Sequence, residues 1–251
     1  MASGRISSER VLARLDEHLG RNDYESARKH LLYWLDEARS VEDFKAEILI
    51  LNELMGLFRK LGERDLALEH ASLAMQRLTE LGIENQVGAG TTYLNCATVF
   101  KAFGMAQRSI EVFEIARAIY EGSLDESDTR LAGLYNNMAL TLVDLGRFVD
   151  AMELYDRAIS ILSEGGGSAL EIAITNLNIA SALELELGLE EAEAEIKERV
   201  ELAFSLIDGV TERNGYYAFV CEKCAPVFGY YGFFMYENDL KERARKIYEG
   251  A

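Results

Sequence analysis

The residues best equipped for covalent or metal chemistry in this chain are three cysteines, three histidines and a glycine-rich tetrapeptide. Their spacing limits what they can do. Cys221-Glu222-Lys223-Cys224 has the two-residue gap of a redox dithiol or of half a zinc site. A redox dithiol needs a strand-to-helix context, and the residues around it follow a helical pattern. Zinc needs two further ligands, and His18, His30 and His70 all lie far from it in the N-terminal half. None of the three sits in a His-Glu-x-x-His or Glu-x-x-His motif, so helix-borne zinc or di-iron sites have no support. No serine occupies a nucleophile elbow. Gly165-Gly166-Gly167-Ser168 lacks a following lysine and is a connector rather than a phosphate loop. The expectation is a protein that is not an enzyme and has no cofactor and no metal.

The chemistry that remains is hydrogen-bonding recognition. Asn95 and Asn137 are 42 residues apart, and Asn178 follows at nearly the same interval. An asparagine amide carries two donors and an acceptor oxygen, so it can pair with both the C=O and the N–H of an extended peptide. Asn52 and Asn136 lie one place earlier in the same register. Glu53 and Lys223 take the asparagine place elsewhere in the series.

The elements that must position these amides are set by a repeat. Gly20, Gly62, Gly104, Gly146 and Gly188 recur every 42 residues, each after a large apolar residue, and Tyr231-Gly232 follows 44 residues later. Five residues after the glycine stand Ala67, Ser109 and Ala151; twelve after it stand Ala74, Ala116 and Ala158. Four before it stand Phe58, Phe100, Leu142 and Phe228, and seven before it Met55, Ala97, Ala139 and Ala225. Apolar positions three and four apart on both sides of a glycine describe two amphipathic helices. The glycine ends the first by accepting a left-handed backbone conformation. In this frame Cys96, Cys221 and Cys224 fall on core positions. The first repeat runs two residues late, with Tyr24, Ala27 and Trp34 displaced, and the fifth carries an extra residue in its first helix.

Composition agrees with this plan. The chain has 251 residues, 49% of them hydrophobic, and a single proline, Pro226, which is expected to kink or end a helix nearby. Its net charge is −17, which disfavours nucleic acid and anionic membranes. There is no apolar signal stretch, no run of about 18 apolar residues, and too few cysteines for a disulfide framework. A cytoplasmic location is expected.

The series of small and aromatic residues around a glycine turn resembles the tetratricopeptide family, and the resemblance covers nearly the whole chain. The usual period is about 34 residues; 42 is similar to the longer variety found in kinesin light chain. The fold implied is an all-α, right-handed α-solenoid of about six helix–turn–helix repeats, near 11–39, 44–82, 90–122, 130–164, 170–208 and 214–250, in one domain over 11–251 after a frayed segment 1–10.

In such a solenoid the first helices line a concave surface suited to another chain. The resemblance implies that Asn95, Asn137 and Asn178 face it, with Asn52 and Asn136 beside them and Arg59 and Lys101 nearby. Packed helices lie roughly 8–10 Å apart and an extended chain advances about 3.3–3.6 Å per residue, so a ladder would grip about every third peptide residue. The amides could equally bond between neighbouring repeats. The lysine–arginine clamp of chaperone-binding family members is not reproduced, since Leu94 and Leu177 fill places where a clamp needs polar groups. The C-terminal stretch is crowded with aromatics, and Tyr216, Tyr217, Tyr230, Phe233 and Phe234 form either a terminal core or a contact surface. The expected function is therefore a protein- or peptide-binding adaptor whose partner is a protein or extended peptide. The alternative is a structural protein that forms homo-oligomers through its aromatic end.

Overall fold

The structure, a computed structural model, describes residues 6–164 and 168–250. Gly165, Gly166 and Gly167 of the expected connector lie outside the described residues. Among the described residues there are twelve α-helices and no strand. None of these helices is long and apolar enough to cross a membrane. The chain divides into two compact units, residues 1–124 and 125–251, and each contains three helical hairpins.

The first unit comprises α1 (Ser8–Gly20), α2 (Tyr24–Ser40), α3 (Phe44–Leu61), α4 (Arg64–Glu80), α5 (Val87–Ala102) and α6 (Ala106–Ser123). Each helix packs on the next, and α3 also packs on α5. The second comprises α7 (Thr129–Asp144), α8 (Phe148–Glu164), α9 (Ala169–Leu187), α10 (Leu189–Asp208), α11 (Gly215–Tyr230) and α12 (Phe234–Glu249). Here α9 packs on both α7 and α11, so the first helices of the hairpins lie side by side.

Local chemistry explains where the helices begin. Side-chain oxygens of Ser7, Asp23, Asp43, Asp128, Ser168 and Asn214 accept from backbone N–H groups of the first turns of α1, α2, α3, α7, α9 and α11. These bonds satisfy donors that have no partner inside the helix.

The turns follow the glycine grid with two corrections, in the first and fifth hairpins. Gly62 and Gly104 are left-handed, at φ 72° and 74°. The residue after each donates back across the turn: Glu63 N–H to Phe58 O, and Met105 N–H to Phe100 O. This is the Schellman arrangement. In the first hairpin Gly20 does not perform this role. It is the last residue of α1, and Asn22, at φ 55°, takes the left-handed place while Asp23 N–H bonds to His18 O. Asparagine tolerates this conformation better than most residues. The two-residue delay of the first repeat is thereby explained, because Ala27 lies five residues after Asn22 as Ala67 lies five after Gly62. In the fifth hairpin Gly188 has ψ 157°, and α10 begins at the next residue.

The periodic residues form the cores. Ala27, Ala67, Ala74, Ala116, Ala151 and Ala158 are fully buried, as are Phe58, Phe100, Phe113, Tyr155 and Phe228. Small residues let paired helices approach while the rings fill the space between them. Truncating one such ring to alanine costs about 3–5 kcal/mol. Ser109 stands at an alanine position, and its hydroxyl donates to Ala97 O at 2.8 Å, which removes the cost of burying it. Cys96, Cys221 and Cys224 are buried in these cores.

Pro226 does not end its helix. It lies inside α11, which continues to Tyr230. The carbonyl four residues back, on Glu222, loses its helical donor, but Glu222 is exposed and water can serve it.

Candidate functional site

Burial along the first helices leaves one outward strip per helix, and the asparagines occupy its middle. In α5 the residues outside the core run Thr91, Leu94, Asn95, Thr98 and Lys101; in α3 they include Asn52, Glu53, Gly56, Arg59 and Lys60. In α7 the strip holds Asn136, Asn137, Leu140 and Asp144, and in α9 it holds Ile174, Asn178, Ser181 and Glu184. Steps of three and four are the spacing of one helical face.

Within each unit two of these amides are joined. Asn95 Nδ2 donates to Asn52 Oδ1 at 2.8 Å, linking α5 to α3. Asn52 Nδ2 in turn donates to Ile48 O at 2.8 Å and to Thr92 Oγ1 at 3.0 Å. In the second unit Asn178 Nδ2 donates to Asn136 Oδ1 at 3.1 Å, linking α9 to α7. Asn137 instead donates to Gly133 O of its own helix at 2.8 Å. The bridges therefore use Asn52 and Asn136, which precede the expected register by one place.

The charged neighbours divide by position. Arg59 is exposed near the end of α3. Lys101 is half-buried in the last turn of α5 and already engaged in an interaction within the protein. Glu53 stands beside Asn52, and burial, with a smaller contribution from the Asp16 charge, raises its carboxyl above the usual carboxylate range.

The cysteines are unsuited to reaction. Cys96 lies against Met55 and Ala71 O, 3.4 Å from the latter, and burial pushes its thiol up to about 12. Burial does the same to Cys224, also up to about 12, and raises Cys221. Nucleophilic and redox cysteines have lowered values. Among the described residues no three His, Cys, Asp or Glu side chains converge as metal ligands.

The aromatic end separates into two sets. Tyr217 is buried, and its hydroxyl accepts from Arg243 Nη1 at 3.0 Å; it belongs to the core, not to a contact surface. Tyr216, Tyr230 and Phe234 are exposed, and Phe233 is half-buried and stacked at 5.4 Å on Tyr236. Glu184 holds the end of α11, accepting from Tyr230 OH at 2.5 Å and Tyr231 OH at 2.9 Å.

Comparison with known proteins supports the architecture. No protein-family model matches the chain, and no curated protein does. Solved structures do. BtubC (BKLC) from P. vanneervenii superposes with a TM-score of 0.59 at 18% identity, covering 90% of this chain and 91% of that one. The nearly identical TPR-like repeats of a Podosopora anserina kinesin-light-chain-like protein give 0.55 at 15% identity, over 85% and 95% of the two chains. A Rap protein complexed with competence and sporulation factor gives 0.61 at 15% identity; 94% of this chain is covered, but only 62% of the Rap protein. The fold is the all-α helical repeat of tetratricopeptide type.

Proposed function

We propose that the protein is a non-catalytic scaffold that binds extended polypeptide segments along the first-helix face of the hairpins within each unit. The observation that carries this proposal is the recurrence of one arrangement in both units: an asparagine on α5 or α9 held in place by an asparagine on the preceding first helix. The held residues, Asn95 and Asn178, each use one N–H in that bond. An amide has a second N–H and an oxygen with two lone pairs, so both can still pair with a peptide backbone. The Rap protein that shares this fold is complexed with competence and sporulation factor, which supports a binding role for this fold. Three free, buried thiols support a reducing compartment such as the cytoplasm.

The test is selection from a displayed library of unstructured peptides. Peptides enriched by the wild-type chain should lose affinity several-fold with Asn95→Ala or Asn178→Ala, since one hydrogen bond contributes about 0.5–1.5 kcal/mol. N-methylation of the peptide at the gripped residues, which removes backbone donors alone, should reproduce that loss. Full affinity after both changes would eliminate a backbone grip by these amides.

A further inference from the structure

The turns of the fifth and sixth hairpins expose apolar surface that the asparagine face does not use. Tyr230, Phe234 and Met235 are 69%, 64% and 85% exposed; Leu185, Leu187 and Leu189, at the turn of the fifth hairpin, are exposed as well, and Leu189 shares a cleft with Tyr230. Isolated exposed apolar residues are ordinary, but contiguous ones mark contact sites. Glu184 ties the two turns together through Tyr230 and Tyr231, so the Tyr230 ring is fixed rather than free to fold away. Between α10 and the α11–α12 turn lies a cleft of about 520 Å³, walled by Leu189, Ile196, Tyr230 and Phe233 and edged by Glu190 and Glu193. Its size is within the roughly 300–1,000 Å³ of ligand clefts. Lys197, the basic residue of this lining, lies 4.0 Å from Glu201. Glu191, Glu195 and Glu198 are exposed on the other side of α10.

We propose that this cleft docks a basic–apolar peptide segment, with one aromatic or leucine side chain in the Leu189–Tyr230–Phe233 cleft and lysine or arginine on either side against Glu190 and Glu193. Charge decides between occupants. A second copy of this chain, with net charge −17, would meet the acidic rim with like charge, which opposes association. A basic segment gains from the rim while its apolar residue leaves water. The site is separate from the asparagine face and does not depend on it.

The probe is a fluorescein-labelled hexapeptide in which two lysines stand on each side of a phenylalanine–leucine pair, titrated with the full chain and followed by anisotropy at low salt. Saturable binding is expected, with little binding of the same peptide carrying glutamates for lysines. The double variant Glu190→Gln, Glu193→Gln should weaken it about tenfold, and Tyr230→Ala should weaken it comparably, with helicity unchanged by circular dichroism. The Asn95→Ala, Asn178→Ala double variant should bind the hexapeptide as the wild type does, which separates this site from the proposed groove. Absence of saturation, equal binding of the acidic peptide, or insensitivity to both cleft variants overturns the proposal. Light scattering that shows a dimer abolished by Tyr230→Ala would also overturn it, by assigning the cleft to a second copy.

Discussion

Two glycine-to-alanine substitutions on first helices should have opposite signs. Alanine is intrinsically better in a helix by about 0.8–1 kcal/mol. At Gly133, in α7, an added Cβ meets nothing within 4 Å, so the gain should appear as about 0.5–1 kcal/mol of added stability. At Gly90, in α5, the same Cβ would lie 2.5 Å and 2.7 Å from two ring carbons of Tyr120 and 3.3 Å from Ile119 Cγ2. The ring has little room to yield. Tyr120 is 2% exposed, and its hydroxyl is 2.7 Å from Thr91 Oγ1. Overpacking of this kind costs about 1–3 kcal/mol; with the upper value and the propensity gain subtracted, Gly90→Ala should lose about 2 kcal/mol. For a chain of this size that is a fall of about 4–8 °C in thermal midpoint. Circular dichroism at the helical minimum measures both variants. The Tyr120→Leu background supplies the control, because Gly90→Ala should become neutral or stabilising once the ring is gone. If Gly90→Ala raises the midpoint as Gly133→Ala does, or keeps its penalty without the ring, the contact between α5 and α6 is not what glycine protects.

Two further outcomes follow from buried polar groups. Glu47 is buried and accepts from Arg39 Nε at 3.1 Å and Arg77 Nε at 2.8 Å, joining α2, α3 and α4. Glu47→Gln should cost about 2–3 kcal/mol, less than a fully buried pair because both arginines reach water; Glu80→Ala, which breaks the more exposed Arg77 pair and an exposed hydrogen bond from Gln76, should cost under about 1 kcal/mol, and equal losses in urea titrations would contradict this ranking. Cys96 and Cys224 have folded values of about 12 against 9.0 for an ordinary thiol. Below pH 9 the thiols are neutral in both states and their contribution is complete; between pH 9 and 12 only the unfolded thiols ionise, so stability falls. The drop in urea midpoint from pH 8 to about 10.5 should be smaller in the Cys96→Ala, Cys224→Ala variant than in the wild type, and identical drops would refute thiol burial as its cause.

Much of the fold was legible because hairpin packing imposes residue size at fixed intervals. The alanine and aromatic positions around Gly62, Gly104 and Gly146 are those that fill the cores. Legibility failed where backbone conformation and residue type part company. Gly20 shares the 42-residue interval, yet Asn22 makes the left-handed turn; the displaced Ala27 was the signal that located it. Pro226 suggested a break, but a helix ending four residues later loses only one internal bond to it. The site was partly legible. Spacing identified the strip that carries the asparagines but not which pairs meet, because the α3–α5 and α7–α9 bridges join residues offset by one place in the repeat. Thr92, one helical turn from Cys96 and buried, was the available sign that Asn52 turns toward α5. Glu47 was hidden among the acidic residues because its arginine partners lie on two other helices.

The paired amides also have different duties. Asn52 donates both N–H groups to the protein, to Ile48 O and Thr92 Oγ1, and accepts from Asn95. It has no donor left for a ligand and serves as a bracket between helices. Asn95 makes one protein bond through Nδ2, so its second N–H and its oxygen are the groups that can meet a peptide. Asn52→Ala should therefore remove three bonds and leave Thr92 and Asn95 without this partner, at about 1–3 kcal/mol in stability, and should weaken peptide binding indirectly by freeing the Asn95 side chain. Asn95→Ala should cost under about 1.5 kcal/mol while losing the larger share of peptide affinity. In the second unit Asn178 is the counterpart of Asn95, and Asn137, bonded only to its own helix, should tolerate alanine in the stability assay because it joins no two helices. Urea unfolding paired with peptide titration separates the two duties, and a variant set in which stability and affinity fall in the same order would show that Asn95 and Asn178 are brackets as well.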